Sequence, residues 1–226
     1  MESLSQYDLP RQNMIRVIER EAKDTFSYTG KRFFDERVMK AMEEVPRHEF
    51  VPKDMRDLAY IDGPVSIGHG QTISQPYIVA LMTDLLSPKP DHKVLDVGTG
   101  SGYQAAILSR LVNEVYSVEI VSSLAEQAKL RFQALGYHNI KVNIDDGHVG
   151  WLDESPYDGI VVAAATPVIP MALVQQLKPG GIMVLPLGDP NKYQELITVK
   201  KTMQGDISTR SVLPVSFVPM VGGDNT

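Results

Sequence analysis

The sequence predicts an α/β fold, with a mostly parallel sheet of seven strands, an antiparallel edge, helices on both faces and an N-terminal helical extension. Three observations predict it. From Lys93 onward, apolar runs of strand length alternate with helical periodicities. "KVLDV", "GTGSG", "YQAAILSRLV" and "EVYSVEI" follow one another as strand, glycine turn, helix and strand, a βαβ unit. Near the C-terminus the alternation gives way to two successive strands, "QELITVKK" and "STRSVLPVSFVPM", which suit an antiparallel edge.

The elements follow in chain order. Residues 11 to 24 carry Met14, Ile15, Ile18 and Ala22 at helical spacing, and residues 32 to 45 carry Phe34, Val38, Met42 and Val45 before Pro46 stops the pattern. Residues 60 to 75, rich in Gly and Pro, read as an ordered loop. "PYIVALMTDLL" then starts a helix on a proline and ends at "SPKP". After the βαβ unit, a helix over 122 to 135 shows a capping box in Ser123 and Glu126. Its apolar side is Leu124, Ala128, Phe132 and Leu135, and Gly136 closes it. "NIKVNI", "YDGIVVAA" and "GGIMVLPL" supply further strands, with a helix at 168 to 177 between the last two. The expected organisation is one compact unit, in which residues 1–90 give helices and a loop and residues 91–226 the α/β core.

Bulk properties narrow the function classes. The 226 residues suffice for a sizeable core without staples. A net charge of -6, a pI near 5.4 and no basic run longer than Lys200-Lys201 argue against nucleic acid as a partner. Cysteine is absent, which suits a reducing compartment. There is no run of eighteen apolar residues, and the start "MESLSQYDLPRQ" is polar, so the expectation is a soluble cytoplasmic protein with no membrane association. The five histidines lack metal-ligand spacing, and no metal is expected.

"DVGTGSGY" stands at the carboxyl end of a strand and the start of a helix, where open α/β sheets bind nucleotides. Alone, it is also what any tight strand-to-helix turn looks like. Glu119 ends the next strand, where a carboxylate meets a ribose diol in dinucleotide folds. The glycines fall at Gly98, Gly100 and Gly102 around Thr99, with Tyr103 where a nicotinamide fingerprint wants glycine, and the Lys-Ser/Thr phosphate loop is absent. A ligand with a ribose, no pyrophosphate and a cationic group to face Asp96 fits this pattern, and S-adenosylmethionine is such a ligand. At the end of the third strand, "DDGHVGW" offers an acid to the adenine amino group. It reads equally as an Asp-Gly turn capping the next helix until Asp96, the glycines and Glu119 are counted with it.

With these residues in place, the chain resembles the protein-L-isoaspartate O-methyltransferase family from about Phe33 to Met220. "EVPRHEFVP", "IGHGQTISQPY", "LDVGTGSGYQAAIL", "SVE", "DDGHVGW", "YDGIVVAAATPVIP", "LKPGGIMVLPLG" and "SFVPM" carry the resemblance. The glycine turn is common to many methyltransferases, whereas "GQTISQP" is specific to this one. The resemblance implies a Rossmann-like class I methyltransferase sheet and S-adenosyl-L-methionine as cofactor. It also implies methyl transfer to the free α-carboxylate of isoaspartyl residues in damaged proteins and peptides, which starts repair through a succinimide. The family's catalytic serine falls on Ser74, with Thr72 and Ile73 on the same substrate wall. Asp96, Gly98, Thr99, Gly100, Gly102, Glu119, Asp146 and Gly147 fall on cofactor positions, and Val218 in "VSFVPM" lines the substrate groove or else sits on an edge strand. Where the family has Gly-Asp-Gly-Trp, this chain has Asp145-Asp146-Gly147-His148; either aspartate can reach the adenine, and Asp146 is preferred.

The implied chemistry explains a site so poor in reactive groups. An isoaspartyl carboxylate sits on the α-carbon, with a pKa near roughly 3.5, and is already an ionised nucleophile at neutral pH. Alignment with the methyl and sulfur can contribute on the order of 7–11 kcal/mol, so donors that hold the carboxylate without neutralising it suffice, and no general base is required. Ser74 also reads as the N-cap of the helix at Pro76, its oxygen accepting from the Tyr77 N–H and its hydrogen free for a substrate. His69, between two glycines, reads as a loop side chain and His148 as exposed-helix material.

Overall fold

The computed structural model describes residues 6–189 and 192–222. Four helices open the chain: α1 (Asp8–Asp24), α2 (Phe26–Thr29), α3 (Glu36–Glu44) and, after two 3-10 turns and a hairpin, α4 (Pro76–Leu86). The hairpin pairs β1 (Val65–Gly68) with β2 (Gln71–Ile73), so the segment expected as loop is a two-stranded ribbon. Its tip is Gly68-His69-Gly70, all three with positive φ (88°, 55° and 71°), a bend for which glycine is the low-cost residue. The second helix starts four residues later than its periodicity suggests, because Asp35 caps it by accepting from the Arg37 N–H at 2.8 Å.

The core alternates as expected: β3 (Lys93–Val97), α5 (Tyr103–Ser109), β4 (Glu114–Glu119), α6 (Ser122–Ala134), β5 (Ile140–Ile144), β6 (Tyr157–Val162), α7 (Met171–Gln175), β7 (Leu177–Gly188), β8 (Gln194–Lys201) and β9 (Ile207–Val215). The sheet order is β5-β4-β3-β6-β7-β8-β9. Pairing is parallel from β5 to β7, and β8 and β9 join by antiparallel pairs. Successive strand residues face opposite sides of the sheet. Val94, Val115, Val161 and Val184 pack against α4 and α5, while Leu95, Tyr116, Ile160 and Met183 pack toward α7 and Trp151. The N-terminal helices share the first of these cores, through Met14, Ile18, Val38 and Met42. No helix among the described residues is long and apolar enough to cross a membrane.

Two sequence signals give way to longer-range partners. Ser123 and Glu126 form no capping box. Helix α6 starts at Ser122 as expected, but its cap is Val121, two residues before Ser123; Ser123 Oγ pairs with His69 Nε2 at 3.0 Å across to the hairpin tip, and Glu126 accepts from Lys129. His148 lies on no helix: residues 146–149 form a turn, and α7 is only the five residues after Pro170.

Candidate active site

One cavity of about 780 Å³ opens at the carboxyl ends of β3, β4 and β6, the crevice where strand order reverses in sheets of this kind. Its floor is the glycine turn. Gly98, Gly100 and Gly102 have φ of 91°, 49° and 86°, and a Cβ at Gly102 would lie 2.6 Å from Phe132 Cζ. Glycine is therefore needed there both for the bend and for the close approach of α6. Bare backbone from Gly98 to Ser101 faces the cavity.

The Glu119 side chain, mostly buried, closes one side. Oε2 accepts from the Gly100 N–H at 2.8 Å and Oε1 from the Val121 N–H at 2.9 Å. Two carboxylate oxygens offer about four acceptor positions, so this anchored group keeps capacity for two more donors. Gly147 enters beside it, so close to β3 that a Cβ would lie 2.7 Å from Val97 Cγ1. The Asp146 carboxylate instead accepts from the His148 N–H at 2.8 Å and meets His148 Nδ1 at 2.9 Å, while Asp145 accepts from the Asp146 N–H. The two aspartates thus brace this turn, and Gly147, Ile120 and Met220 line the cavity beside it.

Asp96 lies one layer below the cavity floor and does not line it. It is fully buried; Ser117 Oγ donates to Oδ2 at 2.7 Å and itself meets Thr99 Oγ1 at 2.6 Å, while Oδ1 is buried without a partner. Burial pushes the Asp96 carboxyl up to about 7, with the Ser117 hydroxyl lowering it and the charge on Glu119 raising it further. The folded chain then keeps a proton that the unfolded chain releases near its ordinary carboxyl pKa. Stability of the ligand-free protein should fall as pH rises from about 4 to about 7, by on the order of 4 kcal/mol for a shift of this size. Asp96→Asn removes that titration, so urea midpoints measured from pH 4 to 8 should fall less steeply for the variant. Parallel pH profiles would contradict the assignment.

The opposite wall comes from the hairpin and the start of α4. Thr72, Ile73 and Ser74 all line the cavity, with Ile73 buried and Ser74 half-buried. Ser74 is not the helix cap. Pro76 occupies the first helical position, so the cap falls on Gln75 (φ -49°, ψ 136°), which makes no side-chain cap bond. The Ser74 hydroxyl makes no hydrogen bond among the described residues. Its carbonyl accepts from Arg47 Nη2 at 2.7 Å. The third wall is the segment after β9, which doubles back beside β6: the Ala165 N–H donates to the Val218 carbonyl at 2.8 Å and the Met220 N–H to Ala165 at 2.9 Å. Gln194 clamps it, donating to the Phe217 carbonyl and accepting from the Phe217 N–H. Val218 therefore faces the groove, not an edge strand.

Sequence reasoning missed Glu21 and Thr25, which reach the same cavity from α1. Thr25 Oγ1 bonds the Tyr77 hydroxyl, and Gln75 Nε2 donates to Glu21 at 3.3 Å and to Asp62 at 3.1 Å. Burial, with Asp62 beside it, pushes the Glu21 carboxyl up to about 7. Glu21 and Gln75 meet only through tertiary packing across 54 residues, and nothing in the local sequence marks the pair. Among the described residues, no group of three or more His, Asp or Glu is placed to share a metal ion.

Comparison with known proteins decides the family. The family model for protein-L-isoaspartate(D-aspartate) O-methyltransferase matches residues 25–225. The chain belongs to this family. Protein-L-isoaspartate O-methyltransferase 2 of Syntrophobacter fumaroxidans is 54% identical over 217 residues, covering 96% of this chain and 88% of its own. The protein of the same name from Nitrosococcus oceani is 56% identical over 209 residues, covering 92% and 95%. A solved protein-L-isoaspartate O-methyltransferase superposes with a TM-score of 0.80 at 27% identity, over 95% of this chain and 66% of that one. A Plasmodium falciparum structure described as a putative member, in complex with S-adenosyl-L-homocysteine, shares the fold with a TM-score of 0.77 at 24% identity, covering 96% and 99%. This methyltransferase accordingly uses S-adenosylmethionine and acts on isoaspartyl residues in protein repair.

Proposed function

We propose that the 780 Å³ cavity is where the methyl donor and the isoaspartyl carboxylate meet, with the strand ends and glycine turn of the core (residues 91–226) forming the cofactor wall and residues 1–90, together with the returning C-terminal segment, the substrate wall. The observation that carries this reading is that Ser74, the glycine turn and Glu119 line one continuous space. Residues present fit the cofactor: the Glu119 carboxylate, pinned by two N–H groups, has acceptors left for the two ribose hydroxyls. Gly98, Thr99 and Gly100 let the backbone approach the ligand closely, Gly102 bends the turn against α6 without lining the cavity, and Asp96 holds the turn from below through Ser117 and Thr99. Gly147 would form the adenine end, with Asp146 fixing its turn. When bound, S-adenosylmethionine supplies an electrophilic methyl on a sulfonium.

What the chain's own residues contribute is alignment. The free hydroxyl of Ser74 donates to one oxygen of the substrate carboxylate. The first turn of α4, whose leading N–H groups have no helical acceptor, adds a modest positive field. No residue needs to remove a proton, because the substrate carboxylate is already ionised. Thr72, Ile73 and Val218 flank the groove in which an extended peptide lies, between the hairpin and the returning C-terminal segment. The roles need neither metal nor nucleic acid, and a chain without cysteine is suited to the reducing cytoplasm, where we place it. A crystal structure with S-adenosylhomocysteine tests the assignment. The ribose hydroxyls should lie within hydrogen-bond distance of Glu119 and the sulfur should point toward Ser74; a nucleoside seated elsewhere would refute it.

A further inference from the structure

Arg47 is the largest fully buried side chain in the protein's described residues, with 0% of it exposed. It comes from the 3-10 turn Arg47–Phe50, in the segment "EVPRHEFVP". Nε donates to the Ala59 carbonyl at 2.6 Å and Nη2 to the Ser74 carbonyl at 2.7 Å. The guanidinium lies 4.8 Å from the ring centroid of Tyr103, which itself lines the cavity at the foot of the glycine turn. Nη1 is buried and has no hydrogen-bond partner. Among the described residues no carboxylate stands within ion-pair distance of it; what compensates the charge is the Tyr103 side chain, ring and hydroxyl, then Tyr60 and the more distant charge of Asp62. Burial draws the group down only to about 10, so it remains a cation at neutral pH.

A buried charge without a counter-ion is costly, and a clamp on two carbonyls can be built from neutral donors. Two anions enter this cavity, the cofactor's own carboxylate and the substrate carboxylate; the second would be received by Ser74, the residue whose carbonyl Arg47 holds. We propose that Arg47 is a positioning residue for the isoaspartyl carboxylate: it fixes Ser74 through its carbonyl, and its buried charge draws the anion to the far side of that loop. The placement reconciles two demands. A cation in direct contact would blunt the nucleophile, whereas one held a layer behind a neutral hydroxyl attracts the carboxylate and leaves its oxygen reactive. This inference rests on the proposed role of Ser74 and names what stands behind it.

Two substitutions separate charge from scaffolding. Arg47→Met keeps length and apolar bulk but removes the charge; Arg47→Lys keeps the charge but cannot hold both carbonyls in a fork. For an isoaspartyl peptide, Arg47→Met should raise KM about 100-fold, the size of one charge–charge attraction across about 6 Å at an effective dielectric near 20, with affinity for S-adenosylhomocysteine within about threefold of wild type. Arg47→Lys should recover at least about tenfold of that KM. Equal KM in the two variants would overturn the proposal, as would loss of S-adenosylhomocysteine binding in step with KM, the mark of scaffolding alone. If either variant fails to fold, the native protein still decides. The Arg47 side-chain NH resonances should shift on adding an isoaspartyl peptide and stay in place with its carboxamide analogue. Identical responses to the two would overturn the proposal. Wild-type enzyme that forms no methyl ester at all would instead sink the underlying functional reading.

Discussion

Glu119→Ala should lose roughly 100- to 1000-fold in affinity for S-adenosylhomocysteine, measured by calorimetric titration, since two hydrogen bonds to a charged acceptor contribute about 3–4 kcal/mol together. The carboxylate is nearly buried and is oriented by the N–H groups of Gly100 and Val121, so in the proposed complex it would have no freedom to turn from the ribose. The same substitution releases the Gly100 N–H, which adds local disorder to the loss of the direct contacts. Glu119→Gln, which keeps one acceptor oxygen but must present an amide NH₂ to one of those two backbone donors, should fall between the two proteins. Affinity unchanged in Glu119→Ala would show that the ligand does not use this wall of the cavity.

Ser74→Ala should lower kcat by roughly 10- to 150-fold, the range for removing one donor to a charged group, while affinity for S-adenosylhomocysteine stays within about threefold. The split follows from position, because Ser74 lies on the hairpin wall and Glu119 on the sheet wall. A second expectation follows from the corrected cap. A capping serine replaced by alanine costs about 1 kcal/mol of stability. The cap of α4 is Gln75, and the Ser74 hydroxyl bonds to nothing else among the described residues, so the thermal midpoint should be unchanged. A lowered midpoint with normal turnover would return Ser74 to the role of a cap and remove it from the chemistry.

How far the sequence alone reached depended on the range of the interactions. The strands and the turn from Gly98 to Gly102 were legible because a strand's alternation and a glycine's positive φ are set within a few residues. That Glu119 would stand beside the glycine turn followed from spacing, one βαβ unit beyond Gly98. Local capping signals failed where a distant partner competed. Ser123 gave its hydroxyl to His69, 54 residues away, and Pro76 moved the cap from Ser74 to Gln75. Arg47 was illegible for the same reason. Its partners stand 12 and 27 residues along the chain, so nothing near it distinguishes a buried cation from a surface one. Asp96 was expected to face the ligand, but it lies below the cavity floor, a depth that comes from sheet packing, which the motif does not encode. Nor does helical spacing tell which polar residues of α1 turn toward another element, and Glu21 and Thr25 were missed on that account.

The most direct test of the central claim pairs an isoaspartyl peptide with its normal aspartyl twin and measures base-labile methyl ester formed from labelled S-adenosylmethionine. The chemistry derived from the cavity predicts ester on the isoaspartyl peptide alone, because only there does an ionised α-carboxylate stand free beside Ser74. Equal labelling of both peptides, or of neither, would contradict it.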